Sequence, residues 1–270
     1  AATPVIFLTG EDDAQLLERG FAAGGVDFLT KPFRREELSA RIRTHVEINR
    51  LRNRLEAQVA RRTQKLTETL GKLEQANREI LTRLTLAAEH RDNETANHLK
   101  RMSRYSVALG RRVGMPALRL EYLELASPMH DVGKIGIPDH ILLKPGKLTA
   151  EEFEVMKTHP QRGADLLAGL DSDLTEIARQ IALTHHEKFD GTGYPAGLKG
   201  EAIPLEGRIV AIADVFDALT SERPYKKAWT MEAAIGYIEK SAGAHFDPAL
   251  VACFRSCLPE ILEIHNEYRD

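Results

Sequence analysis

Between Arg34 and Gly110 the chain has no proline, and only Gly71 interrupts a run of helix formers. This run predicts one very long helix, broken near residues 91–93. Within it Leu66, Leu70, Leu73, Asn77, Ile80, Leu84 and Ala87 follow one another in steps of four and three. That is a heptad seam with Asn77 at an a position. Ile48, Leu51 and Leu55 form an earlier seam, and passing through Val59 to Leu66 needs an eleven-residue step, a stutter that locally unwinds a supercoil. The other reading is an amphipathic helix packed on its own domain; the length without a cap favours the coiled coil. Residues 34–66 carry ten Lys/Arg against four Asp/Glu with no aromatic side chain among them. This reads as a solvated face and not as a nucleic-acid site.

The 270 residues allow one or two domains and a real core, and 43% hydrophobic content fits a globular protein. A formal charge of −3 argues against a general nucleic-acid binder. No apolar run is long enough to span a membrane and no signal peptide opens the chain, so a cytoplasmic protein is expected. Cys253 and Cys257, four apart in an expected helix, read as two buried thiols and not as a disulfide or zinc pair.

Before the long helix, residues 4–9 (PVIFLT) read as a buried strand, 12–23 as a helix and 26–30 (VDFLT) as a second strand. Strand–helix–strand order implies a parallel pair in an α/β layer. These residues resemble the last third of a response-regulator receiver domain, over roughly residues 3–50. The resemblance implies that Thr9 is the switch hydroxyl and that Lys31, before a usually cis Pro32, contacts the phosphoryl group. No phosphoacceptor Asp precedes them, so the chain is expected to lack the first part of such a domain and not to be phosphorylated in the receiver manner.

Beyond residue 90 metal-ligand residue types accumulate. Glu94 and His98 are four apart, on one helical face. His130 and Asp131 stand side by side in PMHDVGKIGIPD (128–139), with Lys134 behind them, on a helix expected from about Arg119. Adjacent helical side chains diverge by about 100°, so the pair can address different metals or opposite sides of one. Thr149 and Glu152 form a capping box for a short helix at 150–157, and His159-Pro160 opens the next. Residues 174–188 read as a helix ending in His185-His186-Glu187. DGTGYPAGLKGEAIP (190–204) must be a loop, long enough to be functional. The helix 206–219 carries Asp214 in an otherwise apolar face, where an unpaired carboxylate costs several kcal/mol. Asp247-Pro248 caps what reads as the last helix.

HDVGK (130–134), HHEKFDGTGYP (185–195) and SERPYK (221–226), in this order, resemble the HD-GYP family of HD phosphohydrolases over about residues 85–260. The resemblance implies a mainly α, HD-type helical bundle at 85–270, preceded by the long coiled-coil helix at 34–90 and the partial receiver fragment at 1–50. It implies hydrolysis of cyclic di-GMP to pGpG and in some cases GMP, as the output of a bacterial two-component response regulator. The metal ligands would be Glu94, His98, His130, Asp131, His159, His185, His186 and Asp214, with Asp131 bridging. Eight such oxygen and nitrogen ligands suit two or, with Glu94, three divalent ions, Fe or Mn better than structural zinc. Asp131 and Lys134 would be catalytic, Lys134 donating to the phosphate or leaving group. Arg223 and Lys226 would hold substrate phosphates. Tyr194 would pack near a guanine, with Gly191 and Gly193 allowing close backbone approach, and Asp217 would orient a ligand or the substrate. The partners implied are cyclic di-GMP and pGpG, a second copy through residues 66–88 and, for an intact receiver, a histidine kinase; no nucleic acid or membrane is implied. The alternatives are a catalytically silent cyclic di-GMP sensor or protein-interaction module, and an HD hydrolase of another nucleotide. The intact ligand set argues against the first; the GYP loop and RPYK stretch argue against the second.

Overall fold

The computed structural model describes residues 3–10, 14–92, 95–169, 172–222 and 227–269. The chain divides into two compact units, Ala1–Ala76 and Asn77–Asp270.

In the first unit β1 (Ile6–Thr9), α1 (Ala14–Ala22) and β2 (Asp27–Thr30) form the expected unit, with β1 and β2 parallel in the register Ile6↔Asp27 to Thr9↔Thr30. The helix α2 (Arg35–Asp92) then runs for 58 residues without interruption. Its first turns are fixed to β2 by Asp27, whose carboxylate accepts from Arg41 Nη1 at 2.9 Å and lies 3.0 Å from His45 Nε2. The seam residues Leu66, Leu70 and Leu73, and in the second unit Ile80 and Leu84, are each half or more exposed. A different face, Leu81, Thr85 and Ala88, packs on the second unit's own core. One stripe of the helix is thus packed on its own domain, and the heptad seam lies exposed on another face.

The second unit is helical: α3 (Ala96–Arg112), α4 (Ala117–Ala126), α5 (Asp139–Leu142), α6 (Ala150–Met156), α7 (His159–Leu166), α8 (Asp173–Thr184), α9 (Leu205–Thr220), α10 (Met231–Lys240), α11 (Pro248–Ser256) and α12 (Leu258–Glu267). Thr95 caps α3 through its hydroxyl, and the break after Asp92 falls where the sequence predicts it. Thr149 and Glu152 form the predicted capping box of α6. A single core joins Met102, Tyr105 and Leu109 of α3 to Leu123 of α4, Ile181 of α8, Phe216 of α9 and Phe254 of α11. Tyr105 and Phe254 both meet the Phe216 ring edge-on, at 5.6 and 5.2 Å.

Five expectations are corrected. The first strand is not buried: Phe7 and Leu8 of β1 are exposed, and Thr9 is its buried residue. The helix through His130 and Asp131 does not continue from α4; Pro128 removes a backbone donor, and Ser127–Gly136 winds as a 3₁₀ segment. The helix α8 ends at Thr184, so the paired histidines follow it. Asp247 caps α11 and not the last helix, because Leu258-Pro259 opens α12. Cys257 lies at the junction of those helices and is buried, whereas Cys253 is only partly so; both are free thiols.

Gly133 sets the approach of the 3₁₀ segment to α7. A Cβ there would overlap the main chain of His159 and Gly163. Gly133→Ala should therefore cost about 2–3 kcal/mol and lower the melting temperature; an unchanged melt would show that the contact yields.

Candidate metal centre

The site grows from helix ends. His130 and Asp131 lie on the 3₁₀ segment, where successive side chains diverge by about 120°. His159 is the first residue of α7, His185 is the C-cap of α8, and His186 follows it. His98 lies in the first turn of α3 and Asp214 in the middle of α9. Their ligand atoms fall into two groups, each within 4.8 Å: Asp131, His159, His185 and His186, and His98, His130 and Asp214. His130 and Asp131 thus fall in different groups, one of the two arrangements that their adjacency allows. Glu94, Arg223 and Lys226 lie outside the described residues.

Main-chain carbonyls set the imidazoles. His130 Nδ1 lies 3.1 Å from Ser127 O, His159 Nδ1 2.8 Å from Met156 O, and His185 Nδ1 3.1 and 3.0 Å from Ile181 and Ala182 O. A carbonyl only accepts, so each Nδ1 carries hydrogen, and in a neutral ring each Nε2 then presents a lone pair. The carbonyls for His185 lie in the last turn of α8, where Ile181 O also accepts the His185 N–H. Burial lowers the pKa of His185 and, more strongly, of His186, which keeps both rings neutral.

These nitrogens converge on Asp131. His130 Nε2 lies 3.2 Å from Oδ2, and His159 and His185 Nε2 lie 3.1 and 3.5 Å from Oδ1. Lys134 Nζ stands 2.7 Å from Oδ2. Burial opposes the charge of Asp131, but the Lys134 ammonium and the His130 ring outweigh it and hold the carboxyl well below the usual range. Asp131 is therefore ionised. Its Oδ1 is buried with no hydrogen-bond donor. An ionised oxygen facing imidazole lone pairs at such distances is repelled unless a cation lies between them. The residues present thus fit divalent metals, with Asp131 placed to reach both groups and no thiolate in either.

Around the ligands, Asp217 takes His98 Nδ1 at 2.7 Å and Arg101 Nε at 2.6 Å. Arg101 also donates to Ser221 Oγ at 2.8 Å and Tyr268 O at 2.6 Å. Burial opposes the Asp217 charge, but these two partners hold its carboxyl below the usual range. Of the two roles expected for Asp217, the substrate contact is corrected: the side chain is 1% exposed and both oxygens are taken. It orients His98, as carboxylates behind ligating histidines commonly do. Tyr194 stacks on His186, centroids 4.8 Å apart at 27°, with the Phe153 ring edge-on at 6.4 Å. Gly191 has φ +86°, and a Cβ on Gly193 would overlap Glu187 and Lys188. The close approach at Gly193 is thus to the chain itself, which corrects its expected role toward a base.

The sequence reading passed over Arg101, Glu187 and Gly133. Arg101 stands three residues after His98, as Asp217 stands three after Asp214, and that spacing was its only signal.

The HD domain family matches residues 45–250. The chain belongs to that family, in its HD-GYP branch. This HD-GYP chain is 45% identical over 248 residues to a cyclic di-GMP phosphodiesterase response regulator of Xanthomonas campestris pv. campestris, covering 92% of this chain and 66% of the relative. It is 39% identical over 274 residues to a cyclic di-GMP phosphodiesterase of Thermotoga maritima, covering 98% of this chain and 74% of that one. The chain thus spans about two thirds to three quarters of the length of these two relatives. The crystal structure of a cyclic GMP-AMP specific phosphodiesterase of Vibrio cholerae shares the fold, with a TM-score of 0.54 at 24% identity over 69% of this chain and 50% of that one.

Asp217→Asn should weaken divalent metal binding about 10- to 100-fold. Metal titration of the whole HD-GYP chain reads this directly, and an unchanged affinity would separate Asp217 from the site.

Proposed function

We propose that the protein hydrolyses cyclic di-GMP to pGpG, with a second cleavage to GMP where Glu94 supplies a third ion, as the output of a bacterial two-component response regulator. The carrying observation is the pair of ligand groups that meet at His130 and Asp131, with the Lys134 ammonium on the same carboxylate. The substrate rests on the names of the relatives.

His98, His130 and Asp214 would hold one ion, His159, His185 and His186 another, and Asp131 would reach both; Fe and Mn suit this donor set. Two such ions supply a water acidic enough to attack at neutral pH and positive charge for the oxygens of phosphorus. Glu94, next in sequence to the cap of α3, would add a ligand for a third. Hydrolysis breaks one bond from phosphorus to a ribose oxygen; water supplies hydroxide to phosphorus and a proton to the leaving oxygen. Lys134 is within reach of Asp131 and would present its ammonium to the phosphate or to that oxygen. Arg223 would fork onto a phosphate and Lys226 add a point charge. Tyr194, held on His186, would offer its ring edge to a guanine.

We also assign residues 1–50 to a receiver fragment, 34–90 to the coiled-coil linker and 85–270 to the phosphodiesterase domain. The exposed seam at 66–88 supports a parallel dimer with Asn77 facing Asn77. An intact receiver would take its phosphoryl group from a histidine kinase. No helix among the described residues is long and apolar enough to cross a membrane, which supports a cytoplasmic location.

Anaerobic purification, metal analysis and timed separation of products test the activity. Asp131→Ala should lower turnover about a thousandfold, the several kcal/mol that metal charge supplies. Arg223→Ala should raise KM about tenfold or more, and Glu94→Gln should lose about one ion per chain and slow only the second cleavage. An Asp131 variant that turns over at the parent rate with its metals verified would refute the proposal. Metals and binding without any product would favour the silent sensor, and cleavage of cyclic GMP-AMP alone would name a different substrate.

Asn77→Leu should raise the melting temperature and admit larger oligomers. A parent chain that scatters light as a monomer at micromolar concentration would remove the coil.

A further inference from the structure

Glu187 follows the two histidines directly, yet it faces neither ligand group and is 2% exposed. A buried carboxylate needs compensation. Here both oxygens accept main-chain N–H groups from the loop ahead: Oε1 from Ala196 at 2.8 Å and Oε2 from Leu198 at 3.0 Å. Gly197 between them has φ +66°, the left-handed turn that aims both amides at one side chain. Other bonds hold the outer ends of the loop: Phe189 N to His245 O, Asp190 N to Ala244 O and Gly200 N to Phe189 O. Nearer the centre, Tyr194 N donates to His186 O at 3.2 Å and the Tyr194 ring lies on the His186 imidazole. Gly193 passes so close to Glu187 that no side chain fits between them.

We propose that Glu187 is a positioning residue of the phosphodiester site: its carboxylate anchors the loop 190–204 from inside and thereby holds Tyr194 over His186, on the wall that receives substrate. The inference rests on the function proposed above. An amide cannot replace the carboxylate, since glutamine has one acceptor oxygen and its NH₂ would face one of the two N–H donors. The anchor differs from a metal ligand in its consequence: losing it should loosen substrate binding and leave the metals in place.

The test compares the full-length parent with Glu187→Gln, Tyr194→Ala and the double variant, each loaded with manganese and assayed with cyclic di-GMP. Glu187→Gln should raise KM about tenfold, the size of one lost hydrogen bond to a charged group, with kcat and metal content close to parent. Amide hydrogen exchange at Ala196 or Leu198 should accelerate. In the Tyr194→Ala background Glu187→Gln should add nothing further to KM, because the carboxylate acts through that ring. Gly197→Ala, strained at its positive φ, should raise KM in the same sense without touching Glu187, which covers the case in which Glu187→Gln fails to fold. Unchanged exchange and KM would overturn the proposal. So would a joint fall of melting temperature, metal content and kcat, or KM effects of Glu187→Gln and Tyr194→Ala that simply multiply. A parent that does not cleave cyclic di-GMP would refute the function, while exchange at Ala196 and Leu198 would still judge the anchor.

Discussion

An ionised carboxylate buried among imidazole lone pairs is the constraint on which the second unit depends. Asp131 is 6% exposed, with three histidine Nε2 atoms within 3.5 Å of its oxygens. Without a cation the arrangement is repulsive; with one, each donor gains a partner. The protein keeps His130, His159 and His185 in this state by giving each Nδ1 hydrogen a main-chain acceptor, and His98 by giving it the Asp217 carboxylate. For His185 and His186, burial strengthens the bias by disfavouring the protonated ring. The Lys134 ammonium supplies a fixed positive charge beside Asp131.

The helices are arranged to supply this geometry. Helix ends offer main-chain carbonyls to side chains, and the site uses them: Ile181 and Ala182 in the last turn of α8, and Met156 where α6 closes before α7. The 3₁₀ winding brings His130 and Asp131 to opposite groups, and Gly133 lets that segment lie against α7 closely enough for His159 to meet Asp131. Beneath the site, the apolar faces of α3, α8 and α9 form the core that holds His98, His185 and Asp214 in register. At the far end of the 3₁₀ segment, Arg91 of α2 donates to Ile135 O, Ile137 O and the Asp139 carboxylate, joining the long helix to the stretch that carries Lys134.

Much of this was legible in the sequence, for local reasons. The proline-free run became one helix; Thr149 with Glu152 and Asp247 with Pro248 marked helix starts; His130 with Asp131 and His185 with His186 stood as pairs, and Asp214 stood out as a carboxylate in an apolar helix. What stayed hidden depends on pairs far apart in the chain or on winding. Arg101 and Asp217 are 116 positions apart, and nothing local joins them. Gly133 reads as a helix weakness until the main chain of α7 is placed beside it. Pro128 is a signal for a changed helix, but whether the chain then stops or tightens into 3₁₀ is decided by packing. Glu187 carries no local signal of its role; only the fold of the following loop shows that its partners are amides.

The most direct measurement is anomalous diffraction from a crystal of the protein purified anaerobically and loaded with iron, recorded on both sides of the iron absorption edge. The account predicts strong peaks on both sides of the Asp131 carboxylate, one among His159, His185 and His186 and one among His98, His130 and Asp214. A crystal with no peak at Asp131, or with metal bound only at residues outside these two groups, would contradict it.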